Sequence, residues 1–487
     1  MSVSLLYRDG KNTSRGGIGK DTPDRLALRR LIDGLRLSKA DADYFLRTLS
    51  APLVQAEDIT YRREILRDFS ANPPLLGELD GVLDRLSKLR ADHAELKREK
   101  RAILRSSRGE AVPDTAKNLL QTAGLTLKRC LLLLDTAGRI LASCTLASEG
   151  LRRLRAELET VTSEETYSAL LRLCTRMEQY SEVSGTALRL RLSEQGAIVA
   201  CDLTDRQRIA FRPPTAKKKR FLFAPKDTAA IPSASVDLRS CLLQNDLRVA
   251  AIQSLADLAD ELTAALFDRF LTAGRELSFY RSALRYAAWL EEKGAPTSFA
   301  EVGGQTLAFE KLYDPLLLQT VELDQMTPND LAPAETSGIV IVGENGSGKT
   351  VWLRSVGVMQ IFTQAGLPVS AESACIPLYR QILTHFSSGE KEFEVGNEAG
   401  RFEQEVRELA SVLDEIGTGG LILFNETFQT TAYKEGSEGL SHILRYLADS
   451  GNRWMLTTHL TDLPSRFADG EIMLLQTDAD HRVRPKL

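Results

Sequence analysis

At 487 residues the chain has room for about two to four domains with substantial cores. An apolar fraction of 43% with 26% charged residues is that of an ordinary globular protein. The formal net charge of -4 excludes a surface uniformly coated for nucleic acid, although a local basic stripe remains compatible with it.

The N-terminus offers too short an apolar stretch for a signal peptide. The densest apolar run, Cys130 to Leu134, is far too short to span a bilayer. The six cysteines form no C-x-x-C pair, and with five histidines no cluster has zinc-ligand spacing. Reduced, mostly buried thiols in a cytoplasmic protein without a membrane segment are therefore expected.

Residues 1–24 read as a flexible lead-in. Within them Gly16-Gly17-Ile18-Gly19-Lys20 has a faint likeness to a phosphate loop, but no apolar strand precedes it, and a linker is expected. Residues 25–185 read as a helical, core-like domain, with Leu28, Leu31, Ile32 and Leu35, and later Leu151, Leu154, Leu158 and Val161, at helix spacing. Asn72-Pro73-Pro74 and Pro113-Asp114 punctuate it. Residues 82–108 are rich in Lys and Arg and carry a stripe of Val82, Leu86, Leu89, Leu96 and Ile103, which predicts a long helix packed along one side.

Residues 186–240 change character. Leu188-Arg189-Leu190-Arg191-Leu192 alternates as a half-buried strand does, and short apolar runs follow at 197–201 and 221–223, so a small β-containing subdomain or insertion is expected. Residues 241–294 carry Ile252, Leu255, Leu258, Leu262, Leu266 and Phe270, then Leu277, Tyr280, Leu284 and Ala288, the pattern of one long helix or two stacked ones serving as levers. Gly294 and Pro296 end it, and an α/β pattern fills residues 295–487.

The chemistry concentrates in that last region. Gly338-Ile339-Val340-Ile341-Val342 is a buried-strand run. Gly343, Glu344, Asn345, Gly346, Ser347, Gly348, Lys349 and Thr350 follow at once, then an amphipathic stretch to Phe362. This is G-x-x-x-x-G-K-S/T between a strand and a helix, the context that a phosphate loop requires. The glycines let successive main-chain N–H groups turn toward phosphate oxygens at a helix N-terminus. Lys349 would pair with the terminal phosphates of ATP, and the Thr350 hydroxyl would ligate Mg²⁺.

A second strand, Gly420 to Phe424, ends in Asn425-Glu426, the pattern of a Walker B site. Glu426 is placed to orient or deprotonate an attacking water. Asn425 stands where an acid usually holds Mg²⁺ through water; an amide oxygen accepts a hydrogen bond but adds no negative charge, so weaker metal binding or slow hydrolysis is expected. A third strand, from Trp454, ends at His459, which fits a switch residue that senses the γ-phosphate.

These motifs, in this order, resemble the ATPase domain of the MutS family, the mismatch-recognition branch of the ABC-like P-loop ATPases. Gly343 to Thr350 is similar to that family's G-P-N-x-x-G-K-S/T, and Pro328-Asn329-Asp330 to its P-N-D. Gly400-Arg401-Phe402-Glu403-Gln404-Glu405-Val406-Arg407-Glu408 is similar to S-T-F-x-x-E-M-x-E, the start of a helix. Asn425 to Gly436 follows D-E-x-G-R-G-T-S-x-x-D-G in length, and Thr458-His459 is the T-H of the switch strand. About 190 C-terminal residues carry the likeness well. Residues 59–68 and the lever region carry it loosely.

The resemblance implies an ATP- and Mg²⁺-dependent ATPase that pairs head-to-tail as a homodimer and couples nucleotide state to DNA. The departures are specific. Residues ahead of the core-like region leave no room for a mismatch-reading domain, so another DNA structure is the expected target. Gly400 replaces the Ser offered to the partner subunit's nucleotide, a role for which Ser387-Ser388-Gly389 or Arg401 would substitute. Phe428-Gln429-Thr430 lacks the glycines of the family's dimer-facing loop. The family continues into a helical dimerisation segment, whereas this sequence stops at Leu487.

Phosphate contacts are then expected from Lys217, Lys218, Lys219 and Arg220, beside prolines in a loop-like stretch, and from Lys97, Arg98, Lys100, Arg101, Arg105 and Arg108 on the basic helix. Both stretches also read as ordinary solvated surface. The alternative is a nucleotide-gated adaptor with weak or no hydrolysis and a protein or ribonucleoprotein partner, which Asn425 and Gly400 favour. A transporter ATPase is disfavoured because no L-S-G-G-Q signature is present.

Overall fold

The computed structural model describes residues 3–10, 15–106, 113–180, 187–192, 198–204, 238–387, 398–428 and 433–486. Two compact units emerge. One is built chiefly from Gly77–Cys144 and Leu154–Gly274, the other from Val3–Leu76, Thr145–Arg153 and Arg275–Leu487. The second unit thus reaches back well before residue 295, the boundary that the change of pattern suggests.

The first unit is mostly helical. Pro73–Ser106 and Pro113–Ala142 each begin with a proline, whose missing N–H and fixed φ suit a first turn. Leu127, Cys130, Leu131 and Leu134 are buried on the second of these, and Cys174 and Met177 on the helix Glu164–Glu178. Gly124 admits Met177 there, since a Cβ would sit 2.7 Å from it. Burial pushes the Cys130 thiol up to about 12, which leaves it protonated and inert. Strands Ala187–Leu192 and Ile198–Thr204 pair as an antiparallel hairpin. Leu238–Glu292 is one uninterrupted helix rather than two, and it contributes to both units.

The second unit is organised by a seven-stranded sheet. Its order is Gly17–Ile18, Gln381–Phe386, Gly420–Asn425, Arg453–Thr458, Gly338–Val342, Ile472–Thr477 and Val483–Pro485. All neighbours are parallel except the last pair. Every residue of Gly338–Val342 is buried, as a β-branched run in a parallel sheet covered on both faces should be. Pro485 lies on an edge strand, where its missing donor is harmless. A second sheet of four strands, Glu301–Val302, Ser373–Ile376, Leu307–Leu312 and Asn329–Ala334 in that order, belongs to the same unit.

Two expectations fail here. Of the stretch read as a lead-in, residues 3–10 and 15–24 are built into the second unit. Buried Glu276 accepts hydrogen bonds from the Ser4 hydroxyl (2.8 Å) and from the Leu5 and Leu6 amides (2.5 and 3.3 Å). Gly17–Ile18 extends the large sheet, and the flanking glycines serve close approach: a Cβ on Gly16 would lie 2.2 Å from the Arg380 carbonyl oxygen, and one on Gly19 2.9 Å from the Leu383 side chain. The helix Lys349–Gln364, expected to be amphipathic, is buried along nearly its whole length. Two of its buried amides donate to main-chain carbonyls: Gln360 to that of Pro377 (2.8 Å), and Gln364 to those of Leu53 (2.7 Å) and Tyr379 (2.8 Å). Such bonds satisfy the amide donors that the helix encloses.

Gly338 opens the central strand because the Trp454 indole fills the space a side chain would take, 2.1 Å from an ideal Cβ. Gly338→Ala should therefore overpack the core and lower stability by about 2 kcal/mol, read as a lowered urea midpoint with tryptophan fluorescence.

Candidate functional site

Three neighbouring strands deliver their carboxyl ends to one place. The central strand Gly338–Val342 runs directly into the glycine-rich loop, and Arg453–Thr458 separates it from Gly420–Asn425. In the loop Gly346 has φ +77° and Gly348 φ +94°, left-handed conformations that a side chain would strain. Gly343 is required for a different reason, since a Cβ would fall 1.8 Å from Thr477 Oγ1. Gly348 caps the helix Lys349–Gln364 without any side-chain hydrogen bond. The first amides of that helix have no intrahelical acceptor, so the helix N-terminus presents donors and a partial positive charge to the loop.

Lys349 is buried at this point, 5% exposed. Its Nζ donates to the carbonyl oxygens of Gly343 (2.8 Å) and Glu344 (2.9 Å) and lies 3.5 Å from Glu426 Oε1. The ammonium is thus held back along its own loop, beside the turn that carries the open amides. Glu344, Asn345 and Gly346 are exposed on the rim, and with Ser347, Thr458 and His459 they line one cleft.

Asn425 sits between two hydroxyls. Its Oδ1 accepts from Thr350 Oγ1 (2.9 Å) and from Thr457 Oγ1 (2.7 Å). Parallel register makes the second contact, since Asn425 pairs with Thr457. Glu426, the next residue, turns into the left-handed region (φ +56°), and its amide donates to the Thr457 carbonyl (2.9 Å). His459 Nε2 lies 3.0 Å from Glu426 Oε1, which places the carboxylate between an imidazole and the Lys349 ammonium. Lys349, Thr350, Asn425, Glu426 and His459 therefore come together, although 110 positions separate the first from the last.

Supports surround them. Arg354 on the same helix pairs with the buried carboxylate of Asp314, its Nε 2.9 Å from Oδ2. Ser347 and Thr477 hydroxyls are 2.5 Å apart. Asn329 Oδ1 accepts from the Val483 amide (3.1 Å) and Asp330 Oδ1 from the Lys311 amide (2.7 Å), so this pair holds sheet edges together. Thr457 and Thr477 escape a linear reading. The first is visible only once register sets it beside Asn425, and the second lies on the other neighbour of the central strand.

Thr350 Oγ1 and Asn425 Oδ1 are neutral oxygen donors, a set suited to a Mg²⁺ that keeps several waters and takes phosphate oxygens for the rest. Among the described residues no group of three or more His, Cys, Asp or Glu is arranged to hold a metal by itself.

The basic stretches divide. Lys217, Lys218, Lys219 and Arg220, and the side chains of Lys100, Arg101, Arg105 and Arg108, lie outside the described residues, as do Ser388, Gly389 and the Arg401 side chain. Lys97 is described and lies 3.8 Å from Asp260, while Arg98 donates to the Ala94 carbonyl of its own helix (3.4 Å). No described helix is long and apolar enough to cross a membrane.

Comparison with known proteins gives a matching picture for the C-terminal region. Residues 339–480 match the family MutS domain V. Endonuclease MutS2 of Streptococcus agalactiae is 32% identical over 159 residues, covering 32% of this chain and 19% of the relative. The Streptococcus pyogenes Endonuclease MutS2 matches with the same identity and coverage. That of Streptococcus thermophilus is 28% identical over 239 residues, 48% of this chain and 29% of the relative. The chain thus spans less than a third of the length of the curated relatives it matches.

The contact between Asn425 and Thr457 can be probed directly. Thr457→Val keeps the shape but removes a donor from a half-buried amide oxygen, and should lower stability by about 1 kcal/mol in urea unfolding.

Proposed function

We infer, from the chain's membership of the MutS family through its C-terminal domain, that this protein binds ATP with Mg²⁺ and couples nucleotide state to DNA. The observation that carries this reading is the helix N-terminus after Gly348: it has no side-chain cap and is preceded by left-handed glycines, with Lys349 folded beside it. Open amides and an ammonium in one concave turn suit a phosphate chain. Thr350 and Asn425 would hold the metal, the first directly and the second through water, and Mg²⁺ when bound neutralises phosphate charge.

Glu426 is the residue that orients or deprotonates the attacking water, and His459, beside it, reports the terminal phosphate to the strand behind. With Lys349 turned to phosphate oxygens, Glu426 would keep His459 as its close neighbour. The fold is read as an ABC-like P-loop module, working as a head-to-tail homodimer. The helix Leu238–Glu292, which contributes to both units, is the lever through which nucleotide state reaches the helical unit. DNA contact is to phosphates, through the basic stretches at 97–108 and 217–220, and carries little base specificity.

One observation favours a second reading, a nucleotide-gated adaptor with little hydrolysis. The amide of Asn425 already accepts two hydroxyls and brings no negative charge to the metal side of the site.

Lys349→Ala should abolish binding of a fluorescent ATP analogue; binding as tight as the parent's contradicts the site. Asn425→Asp, isosteric and still able to accept both hydroxyls, should raise Mg²⁺-dependent turnover about tenfold. An unchanged rate removes Asn425 as the cause of slow hydrolysis. Duplex or branched DNA should stimulate turnover at low salt, with the stimulation fading as salt rises. Indifference to DNA at low salt supports the adaptor reading.

A further inference from the structure

The residues just after Asn425 adopt a backbone that their side chains do not favour. Glu426 has φ +56° and Phe428 φ +63°, both in the left-handed region, with Thr427 between them. For non-glycine residues such a conformation is strained and persists only where the surroundings impose it. Two buried side chains from different elements supply that imposition. Glu405, 7% exposed on the helix Glu398–Glu415, accepts the Phe428 amide through Oε1 at 2.8 Å. His385, 3% exposed on the strand Gln381–Phe386, places Nδ1 2.9 Å from the Thr427 hydroxyl, itself 1% exposed. Burial holds the His385 pKa below the usual imidazole range, so the ring serves as a neutral hydrogen-bonding group. Phe428 completes the anchorage by packing into the core with Phe424, Leu440 and Leu444.

The consequence falls on Glu426. Its amide is tied to the Thr457 carbonyl at 2.9 Å, and the left-handed turn is what sends its carboxylate toward Lys349 and His459. Relaxing the turn into an ordinary conformation would re-aim that carboxylate without touching the glycine-rich loop. A buried carboxylate at residue 405 is expensive to desolvate, and its bond to a strained amide gives it a task that a core position alone does not require.

We propose that Glu405 and His385 are positioning residues: they clamp the turn 426–428 in its left-handed form and thereby aim Glu426. The proposal rests on the reading of Glu426 as the residue that orients water. It also ties the helix Glu398–Glu415 mechanically to the aim of that carboxylate.

The test compares the full-length parent with Glu405→Ala and Glu405→Gln, the second of which keeps an acceptor for the Phe428 amide. Amide hydrogen exchange over residues 424–428 is measured without nucleotide, and KM and kcat for ATP separately. Glu405→Ala should speed exchange there and lower kcat, each by about tenfold or more, with KM within about twofold of the parent. Glu405→Gln should recover most of both. Parent-like exchange in Glu405→Ala overturns the clamp; faster exchange with unchanged kcat, or a loss that Gln does not recover, overturns the positioning role. His385→Gln removes the other anchor and decides the same question where Glu405→Ala does not fold. A parent that binds no ATP refutes the nucleotide reading instead, and the exchange measurement still decides the clamp by itself.

Discussion

One register constrains the rest of this site. Gly338–Val342, Arg453–Thr458 and Gly420–Asn425 lie side by side in parallel, so their last residues arrive at the same level. Asn425 meets Thr457 across that register and Thr350 across the loop, and its single amide oxygen joins three elements. Shifting one strand by one residue would turn every side chain to the opposite face and separate these groups. The strands are buried on both faces, so such a shift would break the fit of packed side chains, as where the Trp454 indole fills the space beside Gly338.

From this arrangement the chemistry follows in two halves. The glycine-rich loop and the first turn of its helix supply donors and positive charge. The strand ends opposite supply neutral oxygens, one carboxylate and one imidazole. Lys349 stands between the halves, bonded to the Gly343 and Glu344 carbonyls and within 3.5 Å of Glu426. The helix behind the loop is fixed by enclosure and by the Arg354–Asp314 pair, which leaves the loop's geometry little freedom to drift. A site of this kind is preorganised by its backbone more than by its exposed side chains.

Much of the arrangement was legible in the sequence wherever the signal was local. The apolar run from Gly338, the loop after it and the strand ending in Asn425-Glu426 each carry their meaning within a few residues. The long helix over 238–292 was equally visible from its repeating leucines and aromatics, although periodicity alone left open whether it was broken. What could not be read depends on distant partners. Gly16 and Gly19 look like parts of a linker, yet they are small because Arg380 and Leu383 approach them. Gln360 and Gln364 look like a solvent face but are answered by carbonyls from Pro377, Leu53 and Tyr379. Thr457 acquires its place only from strand order, and the left-handed backbone at Glu426 and Phe428 has no glycine to announce it.

The central claim is that this loop and these strand ends grip a nucleotide's phosphates. Isothermal titration of the purified full chain with ADP and with a non-hydrolysable ATP analogue, in millimolar Mg²⁺, tests it most directly. The account predicts saturable heat with about one site per chain, lost when Mg²⁺ and nucleotide are replaced by Mg²⁺ alone. No heat from either nucleotide at millimolar concentration would contradict it.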